Sequence, residues 1–379
     1  MGIKRTAGLT RRGGIRRIDK MFEKTRLCES TGTGDFRQAQ ETLAKRLIEL
    51  RDIRLFGARE FRSFRSAANR FLQEYQHKRR IQDDALHLKL LDGFIGELDL
   101  KQVHMASLQD FIASRRRDGV KTKTINAALA VVRRVLNLAS SEWMDSQGQT
   151  WLEAAPRIKL FPVRDARSPY PLTREEQRLL FQELPGHLAP MALFKVNTGT
   201  REQEVCGLKW DYEVKVPELD TSVFLIPGDH VKNGEERLVV LNWVAKSVID
   251  AQRARDPVHV FVYAPKKGPL RPVTRINNTA WKAARKRAAD AWEKQHGEPA
   301  NLGFRKVRVH DLKHTFGRRL RAAGVSFEDR QDLLGHRSGR ITTHYSQAEL
   351  SSLIEAAEKA CDAGSGKSPE TTWLRRRGA

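Results

Sequence analysis

The hydrophobic pattern of the first fifty residues changes from a period of two to a helical period. Residues 8–20 and 25–31 form alternating runs bounded by glycine, which are typical of short β-strands. They predict a sheet of two or three strands. Asp35 can cap a helix after this sheet, because its carboxylate can accept hydrogen bonds from the first free amides of a helix. The apolar face of that helix would carry Ala39, Leu43, Leu47 and Leu50.

From about residue 57 to residue 152 the apolar positions recur at helical spacing. They predict four helices, and the fourth begins near Thr122. The predicted buried positions of the first two helices are Phe61, Phe64, Ala68, Phe71, Leu72 and Tyr75, followed by Leu86, Leu90, Leu91, Phe94 and Ile95. Those of the last two helices are Leu108, Phe111 and Ile112, followed by Ile125, Leu129, Val132, Leu136 and Leu138.

A stretch without helical spacing separates these helices from the rest of the chain. Residues 156–171 contain four prolines and four basic residues, which predicts a stiff, basic linker and a domain boundary. Thr173 and Glu176 follow with the spacing of a capping box, so we expect a helix to begin there.

Beyond the linker, the pattern mixes strands and helices. Two strands are predicted at residues 221–226 and 237–241, joined around Asn233 and Gly234, a dipeptide that favours a hairpin turn. Helices are predicted at 244–255, 276–294 and 327–334, and another is marked by Leu312, Phe316 and Leu320 at spacings of four.

These elements predict a mainly α fold with small β elements, in the α+β class. We divide the chain into a small sheet with a helix at 1–54, a helical domain at 57–155, the linker at 156–171, a second domain at 172–360 and a flexible basic tail at 361–379.

The charge of the chain indicates its class of partner. The 379 residues carry a formal net charge of +23, and such an excess of Lys and Arg attracts nucleic acid. A basic protein of the membrane surface is the rival interpretation. No apolar run approaches the length of a spanning helix and no signal peptide opens the chain, so we expect no membrane association. Cys28, Cys206 and Cys361 are widely scattered, which favours a reducing cytoplasm without disulfides.

Side chains suited to phosphodiester chemistry cluster near the end of the chain. His310, Lys313, His336 and Tyr345 fall within 36 residues. Cleavage of a phosphodiester needs such fixed cations, proton donors and acceptors, and a nucleophile. His310 and His314 also have the spacing of zinc ligands. The glutamate of a His-Glu-x-x-His site and nearby cysteines are missing from the sequence, so we expect no metal.

A further cation lies upstream, at Arg201. It follows the glycine turn Thr198-Gly199-Thr200, and Glu204 stands one helical turn beyond it. A lone arginine after a glycine turn is more often a surface residue. The carboxylate of Glu204 can hold the guanidinium group, and this context favours a site residue instead.

Together these motifs resemble those of the tyrosine recombinases, or phage-type integrases. The resemblance rests on Thr-Gly-Thr-Arg ending at Arg201 with Glu204 and Leu208, on the His310-x-x-Lys313 and Leu334-Gly335-His336 boxes, and on Tyr345 nine residues beyond His336. The order and spacing of the motifs make the match specific. One position departs from the pattern, because the family usually has arginine where this chain has Lys313.

The resemblance implies a site-specific recombinase that cleaves and rejoins DNA through a 3′-phosphotyrosyl intermediate. Tyr345 would be the nucleophile. Arg201 and Lys313 would neutralise the non-bridging oxygens in the transition state, and His336 would donate a further hydrogen bond.

The resemblance also implies the proton transfers. Lys232 matches the lysine that the family carries on a mobile hairpin and would be the general acid, and His310 would be the base. The energy of the cleaved bond is conserved in the protein–DNA ester, so the resemblance implies no ATP, metal or other cofactor.

Two further DNA-binding modules are implied. Residues 1–54 resemble the arm-type DNA-binding domain of phage integrases, with candidate DNA contacts at Arg11, Arg12, Arg16 and Arg17. Residues 57–155 stand where the family has its helical core-binding, SAM-like domain. Candidate phosphate or base contacts there are Lys121 and Lys123, at a helix start.

The implied partners are double-stranded DNA at attachment sites and three further copies of the chain, in a tetramer on two duplexes. A directionality factor and a host DNA-bending protein stay open as additional partners. Within the family, a host chromosome-dimer recombinase and a type IB topoisomerase are alternatives, but the amino-terminal module favours the integrase of a phage or other mobile element. A catalytically inert DNA-binding protein and a metal-dependent nuclease are the rivals from other classes.

Overall fold

A computed structural model of the chain describes residues 8–22, 25–232, 234–336 and 347–361. The chain divides into two compact units between Arg167 and Ser168. The α+β class is confirmed, because helices dominate both units and the sheets are small and antiparallel.

The amino-terminal part contains a three-stranded antiparallel sheet and one long helix, as predicted. The strands are β1 (Leu9–Arg12), β2 (Ile15–Phe22) and β3 (Thr25–Ser30), followed by helix α1 (Phe36–Phe56). Gly13 and Gly14 form the β1–β2 turn with φ angles of 58° and 82°, which residues other than glycine rarely adopt. The Asp35 carboxylate accepts from the Gln38 amide at 2.9 Å, so the predicted cap is confirmed.

Four helices form the next part, as the spacing predicts, although Phe61, predicted to be buried in the first of them, lies before that helix and is 54% exposed. They are α2 (Phe64–Glu74), α3 (Ile81–Ile95), α4 (Gln109–Arg117) and α5 (Thr122–Ser141). Phe71 and Trp143 are among the largest side chains of their core.

The predicted buried face of α3 is wrong in part. Leu86, Leu90 and Phe94 are 58%, 38% and 40% exposed, while Leu91 and Ile95 are fully buried. The sequence of α3 offers two apolar stripes at helical spacing, and only the packing of α3 against α2 and α5 decides which stripe enters the core.

The predicted linker is anchored at both ends, each end within its own unit. Ile158 is 3% exposed in the core of the helical part, and the Asn126 side chain bonds both the amide and the carbonyl of Phe161. In the second unit, the Tyr170 amide donates to Asp311 Oδ1 at 3.2 Å.

The second unit contains nine of the described helices and two small sheets. The helices are α6 (Arg174–Glu183), α7 (Ala189–Thr198), α8 (Glu202–Cys206), α9 (Trp243–Asp250), α10 (Thr279–His296), α11 (Leu302–Arg305), α12 (Val309–Ala322), α13 (Phe327–Leu334) and α14 (Gln347–Glu358). The strands are β4 (Glu213–Val216), β5 (Thr221–Ile226) and β6 (Arg237–Val240) in one sheet, and β7 (Val262–Tyr263) and β8 (Arg271–Pro272) in the other. The predicted capping box at Thr173 and Glu176 is confirmed at the start of α6.

Helix α12 joins the two hydrophobic clusters of the second unit. Leu312 packs in the main core, and Phe316 and Leu320 pack in a second cluster with Leu353 and Ala357 of α14. The predicted apolar face of α12 is therefore confirmed, and α14 packs against it.

The connection between β5 and β6 is longer than a hairpin turn of two residues. The strands pair from Val223 with Val240 to Ile226 with Arg237, so residues 227–236 form the connection. Pro227 ends the ladder because it has no amide proton to donate. Gly234 has a φ of 75°, and Asn233 lies outside the described residues.

Within the described ranges, no helix is both long and apolar enough to cross a membrane.

The exposed stripe of α3 leads to a stability prediction. Phe71→Ala should lower the free energy of unfolding of the helical part by about 3–5 kcal/mol, because it empties a filled core site. Leu86→Ala, which the sequence pattern alone would rank as a core substitution, should change it by less than about 0.5 kcal/mol. Denaturant unfolding of the two full-length variants measures the difference, and equal shifts would return Leu86 to the core.

Candidate active site

The turn that carries Arg201 is shaped by Gly199. Helix α7 ends at this glycine, whose φ of 62° is left-handed. A Cβ atom at Gly199 would lie 2.8 Å from the Phe316 ring and 2.9 Å from Leu334. Both the backbone angle and the close approach of α12 and α13 therefore require glycine here.

Glu204 holds Arg201 through both its side chain and its backbone. Glu204 Oε1 accepts from Arg201 Nη1 at 2.7 Å, and Glu204 Oε2 accepts from the Arg201 backbone amide, also at 2.7 Å. The second Arg201 nitrogen, Nη2, donates to the Gly335 carbonyl at 3.1 Å. The Arg201 side chain is 19% exposed, so its direction is fixed while part of it remains open to solvent.

Lys313 is buried beneath this arginine. It is 4% exposed on α12, and its ammonium group donates to the Leu334 carbonyl. Burial, together with the guanidinium groups of Arg237 and Arg201, lowers the pKa of Lys313 to about 6.

His310 lies one turn before Lys313 and is packed edge-on against His314, with 4.8 Å between the ring centroids. Burial lowers the pKa of His310 to about 4, and the charges of Lys195 and His314 act in the same direction. The imidazole is therefore neutral at physiological pH and can accept a proton.

Three consecutive carbonyls at the carboxyl end of α13 receive the cations. Leu333 accepts from Arg237, Leu334 from Lys313 and Gly335 from Arg201. These carbonyls carry the negative end of the helix dipole, so cations are stabilised there. Gly335 turns the chain with a φ of 56°, and His336 follows it directly.

His336 stands exposed after this turn. Its backbone amide donates to the Gln331 carbonyl at 2.9 Å, which fixes where the side chain begins. Burial of part of the ring, followed by the charges of Lys313 and Arg201, lowers the pKa of His336.

The sequence motifs do not include two basic residues of the cluster. Arg237 is 3% exposed and donates to Glu204 Oε2 at 2.6 Å, and Lys195 is fully buried with its ammonium group donating to the Thr200 carbonyl. Burial lowers the pKa of Lys195 to about 7. The signal for Lys195 was available, since a charged residue inside the apolar run of α7 is seldom buried without a partner.

Four basic side chains therefore converge around the Glu204 carboxylate: Lys195, Arg201, Arg237 and Lys313. Positive charge exceeds negative charge in this cluster, and such a preorganised group suits an oxyanion.

The structure does not bring every predicted site residue into this cluster. Lys232 is exposed in the β5–β6 connection, next to the buried Val231. Tyr345 lies outside the described residues, as does the predicted basic tail from residue 362 onward.

The predicted DNA contacts of the other unit lie on its surface. Arg11 and Arg12 are exposed on β1, and Arg16 and Arg17 are half-buried on β2. Arg16 Nε donates to the Gly34 carbonyl at 3.2 Å.

Lys121 and Lys123 are exposed at the start of α5. The Asp165 carboxylate accepts from the Thr122 amide at 2.7 Å, and Lys121 Nζ donates to the Asp165 carbonyl at 3.4 Å. The first amide of α5, which the sequence pattern predicts as a phosphate contact, thus already donates to a carboxylate.

No cluster of three or more His, Cys, Asp or Glu side chains that could hold a metal ion is found in the described part of the chain.

Comparison with known proteins assigns the family. Residues 172–351 match the Phage integrase family. Over 370 residues the chain is 26% identical to the integrase of Salmonella phage P22, covering 88% of this chain and 89% of that protein. Over 323 residues it is 24% identical to the tyrosine recombinase XerC of Brucella suis biovar 1, covering 78% of this chain and 93% of that protein.

The fold is also similar to that of one chain in the structure of a lambda integrase tetramer bound to a Holliday junction. The TM-score is 0.52 at 14% sequence identity, over 91% of this chain and 99% of that chain. Residues 172–351 form a domain of the phage integrase family, and tyrosine recombinases are relatives over most of the chain.

Proposed function

We propose that this site-specific recombinase cleaves and rejoins DNA through a covalent bond to Tyr345, and that it integrates or excises a phage or other mobile element. The observation that carries the proposal is the convergence of Arg201 and Lys313 on neighbouring carbonyls beside His336. A scissile phosphate bound at this point would accept hydrogen bonds from both side chains.

The cations stabilise the transition state. As the tyrosine oxygen attacks, negative charge grows on the two non-bridging oxygens of the pentacoordinate phosphorus. Arg201 offers them a planar, two-pronged donor and Lys313 a compact point charge, while His336 donates one further hydrogen bond. Glu204 keeps Arg201 aimed without contacting the DNA.

The proton transfers balance around one phosphoryl transfer. His310, neutral at physiological pH, takes the proton from the Tyr345 hydroxyl as the bond from its oxygen to phosphorus forms. The bond from phosphorus to the 5′-oxygen breaks, and Lys232 gives that oxygen a proton. The reverse sequence, with a different 5′-hydroxyl as nucleophile, rejoins the strand without ATP.

The remaining parts of the chain are proposed to hold the DNA. The three-stranded sheet with Arg11, Arg12, Arg16 and Arg17 would bind arm-type sites, and the helices of residues 57–155 would clamp the crossover site with Lys121 and Lys123. We also propose action in the cytoplasm as a homotetramer on two duplexes, because the lambda integrase tetramer with this fold is bound to a Holliday junction.

A host chromosome-dimer recombinase is the second candidate, since XerC proteins are relatives. Two observations favour a mobile-element integrase. The alignment with the phage P22 integrase covers more of this chain, 88% against 78%, and the amino-terminal sheet adds a separate basic surface.

The first prediction concerns the nucleophile. Tyr345→Phe removes one oxygen and should abolish the covalent adduct on a suicide substrate, which is nicked so that the 5′-hydroxyl fragment diffuses away. DNA binding should be unchanged, and Tyr212→Phe serves as the control that cleaves like wild type. The adduct is counted on a denaturing gel, and its persistence in Tyr345→Phe would exclude Tyr345 as the nucleophile.

Lys313 supplies the second prediction. Lys313→Ala should slow single-turnover cleavage of the suicide substrate by roughly a hundredfold or more, the scale of removing one charge-stabilising donor. Lys313→Arg should keep substantial activity, because it preserves the charge and the reach. Cleavage by Lys313→Ala at the wild-type rate would remove Lys313 from the site.

The same lysine makes DNA binding depend on pH. Its pKa of about 6 means that it is mostly neutral at pH 7.5 in the free protein, and a bound phosphate favours the charged form. Binding should therefore take up a proton, and affinity should fall as pH rises above about 6. Calorimetry in buffers of different ionisation enthalpy should find up to about one proton more for wild type than for Lys313→Arg, which stays charged throughout.

Another prediction tests the amino-terminal sheet. Replacing both Arg11 and Arg12 by alanine should make the slope of log K against log salt concentration shallower by about 1.8 on arm-site DNA, at about 0.9 for each lost phosphate contact. Arg37→Ala, at an exposed position of α1, is the control. Equal slopes for both variants would place the arm-site contacts elsewhere.

A further inference from the structure

Arg237 is a buried cation to which the proposed reaction assigns no role. It opens β6, directly after the connection that carries Lys232, and its side chain is 3% exposed. Burial of this guanidinium group lowers its pKa to about 10, and Glu204 opposes part of that effect. Its Nε atom has no hydrogen-bond partner among the described residues.

Stability alone gives little reason for this arrangement. Replacing a buried ion pair by apolar side chains of similar volume is often neutral or stabilising, because two charges must otherwise leave water. The buried position of Arg237 is therefore better explained by the groups that it holds in place than by stability.

The hydrogen bonds of Arg237 reach both halves of the proposed site. Nη1 donates to Glu204 Oε2 at 2.6 Å, and Nη2 donates to the carbonyls of Gly199 and Leu333, each at 3.3 Å. One guanidinium group thus joins the turn before Arg201 to the end of the helix before His336.

Arg237 also determines which donors bind each carboxylate oxygen of Glu204. Glu204 Oε1 bonds the Arg201 side chain, while Oε2 is shared by the Arg201 backbone amide and Arg237. Because each carboxylate oxygen has a fixed donor, the carboxylate cannot rotate without losing a bond. The direction of the Arg201 guanidinium group depends on that carboxylate plane.

Gly335 rests directly on the Arg237 side chain. A Cβ atom at this glycine would lie 2.8 Å from the guanidinium carbon, so only glycine allows the approach. The Gly335 carbonyl in turn accepts from Arg201 Nη2. Arg237 therefore supports Arg201 from two sides, through Glu204 and through the chain turn at Gly335.

We propose that Arg237 is a positioning residue for DNA cleavage: it orients Arg201 through Glu204 and Gly335 and does not itself contact the scissile phosphate. The proposal rests on the proposed function, in which Arg201 binds that phosphate. It predicts that Arg237 matters for the reaction only as long as Arg201 is present.

The test measures single-turnover cleavage of the suicide substrate at saturating protein. Arg237→Met should slow cleavage by roughly ten- to a hundredfold, the range for residues that orient a directly acting group. The dissociation constant for core-site DNA should stay within about threefold of wild type, because phosphate contacts elsewhere dominate affinity. Arg237→Lys keeps the charge but loses the two-pronged guanidinium donor, so its cleavage rate should lie between those of wild type and Arg237→Met.

Arg319→Met is the matched control. Arg319 is a buried guanidinium on α12, 8% exposed, with no hydrogen-bond partner among the described residues and no bond to Glu204. Its replacement should leave the cleavage rate unchanged. A loss equal to that of Arg237→Met would mean that removing any buried arginine from this unit disturbs the site, and would overturn the proposal.

A double-mutant cycle separates positioning from general support. In an Arg201→Ala background, Arg237→Met should cause no further loss of rate, because the residue through which Arg237 is proposed to act has been removed. The proposal would be overturned if the rate losses of Arg201→Ala and Arg237→Met multiply in the double variant. It would also be overturned if Arg237→Met cleaves at the wild-type rate. Failure of both Arg237 variants to fold, judged by thermal melting, would make Arg237 a stability residue and would also overturn it.

The proposed function fails separately. If wild-type protein forms no covalent adduct with the suicide substrate, the recombinase mechanism itself is wrong. If wild type forms the adduct and Tyr345→Phe does not, the mechanism stands and the cycle judges Arg237 alone.

Discussion

Buried positive charge is the constraint on which the second unit depends. Lys195, Arg237 and Lys313 are each less than 5% exposed, and they surround the carboxylate of Glu204. Removing a cation from water is expensive unless it is paired and hydrogen-bonded. The chain offsets this cost with Glu204 and with backbone carbonyls at the ends of α7 and α13.

This requirement explains why so many elements end at one place. Helices α7 and α13 each finish there in a left-handed glycine, which leaves carbonyls free to accept hydrogen bonds. Gly199 and Gly335 also allow side chains to approach within 3 Å of where a Cβ atom would stand. The glycines of the two motifs are thus packing positions as much as turn positions.

The hydrophobic core supplies the rigid background for these charges. Leu312, Phe316 and Leu320 bury one face of α12 in two clusters, so His310 and Lys313 on the same helix are held at fixed positions. A cluster of cations held in this way is preorganised for an anion, since little further movement is needed when the anion arrives.

Several helix ends of this structure could be predicted from the sequence, because short-range hydrogen bonds determine them. Asp35, the Thr173 and Glu176 pair, and the glycine that ends α13 act through bonds within a few residues, so their spacing alone predicts the structure they form. The motif order around Arg201 and His310 likewise identified the family.

Tertiary structure decided whatever depends on distant segments. Two apolar stripes of α3 satisfy helical spacing equally, and packing against α2 and α5 buries only the one with Leu91 and Ile95. Arg237 looks like an ordinary strand residue until Glu204, 33 residues earlier, and Leu333, 96 residues later, are placed beside it. The sequence by itself determined the family and the candidate site residues, because motifs are local. Which buried side chains surround Glu204 was decided by long-range contacts, which no local pattern encodes.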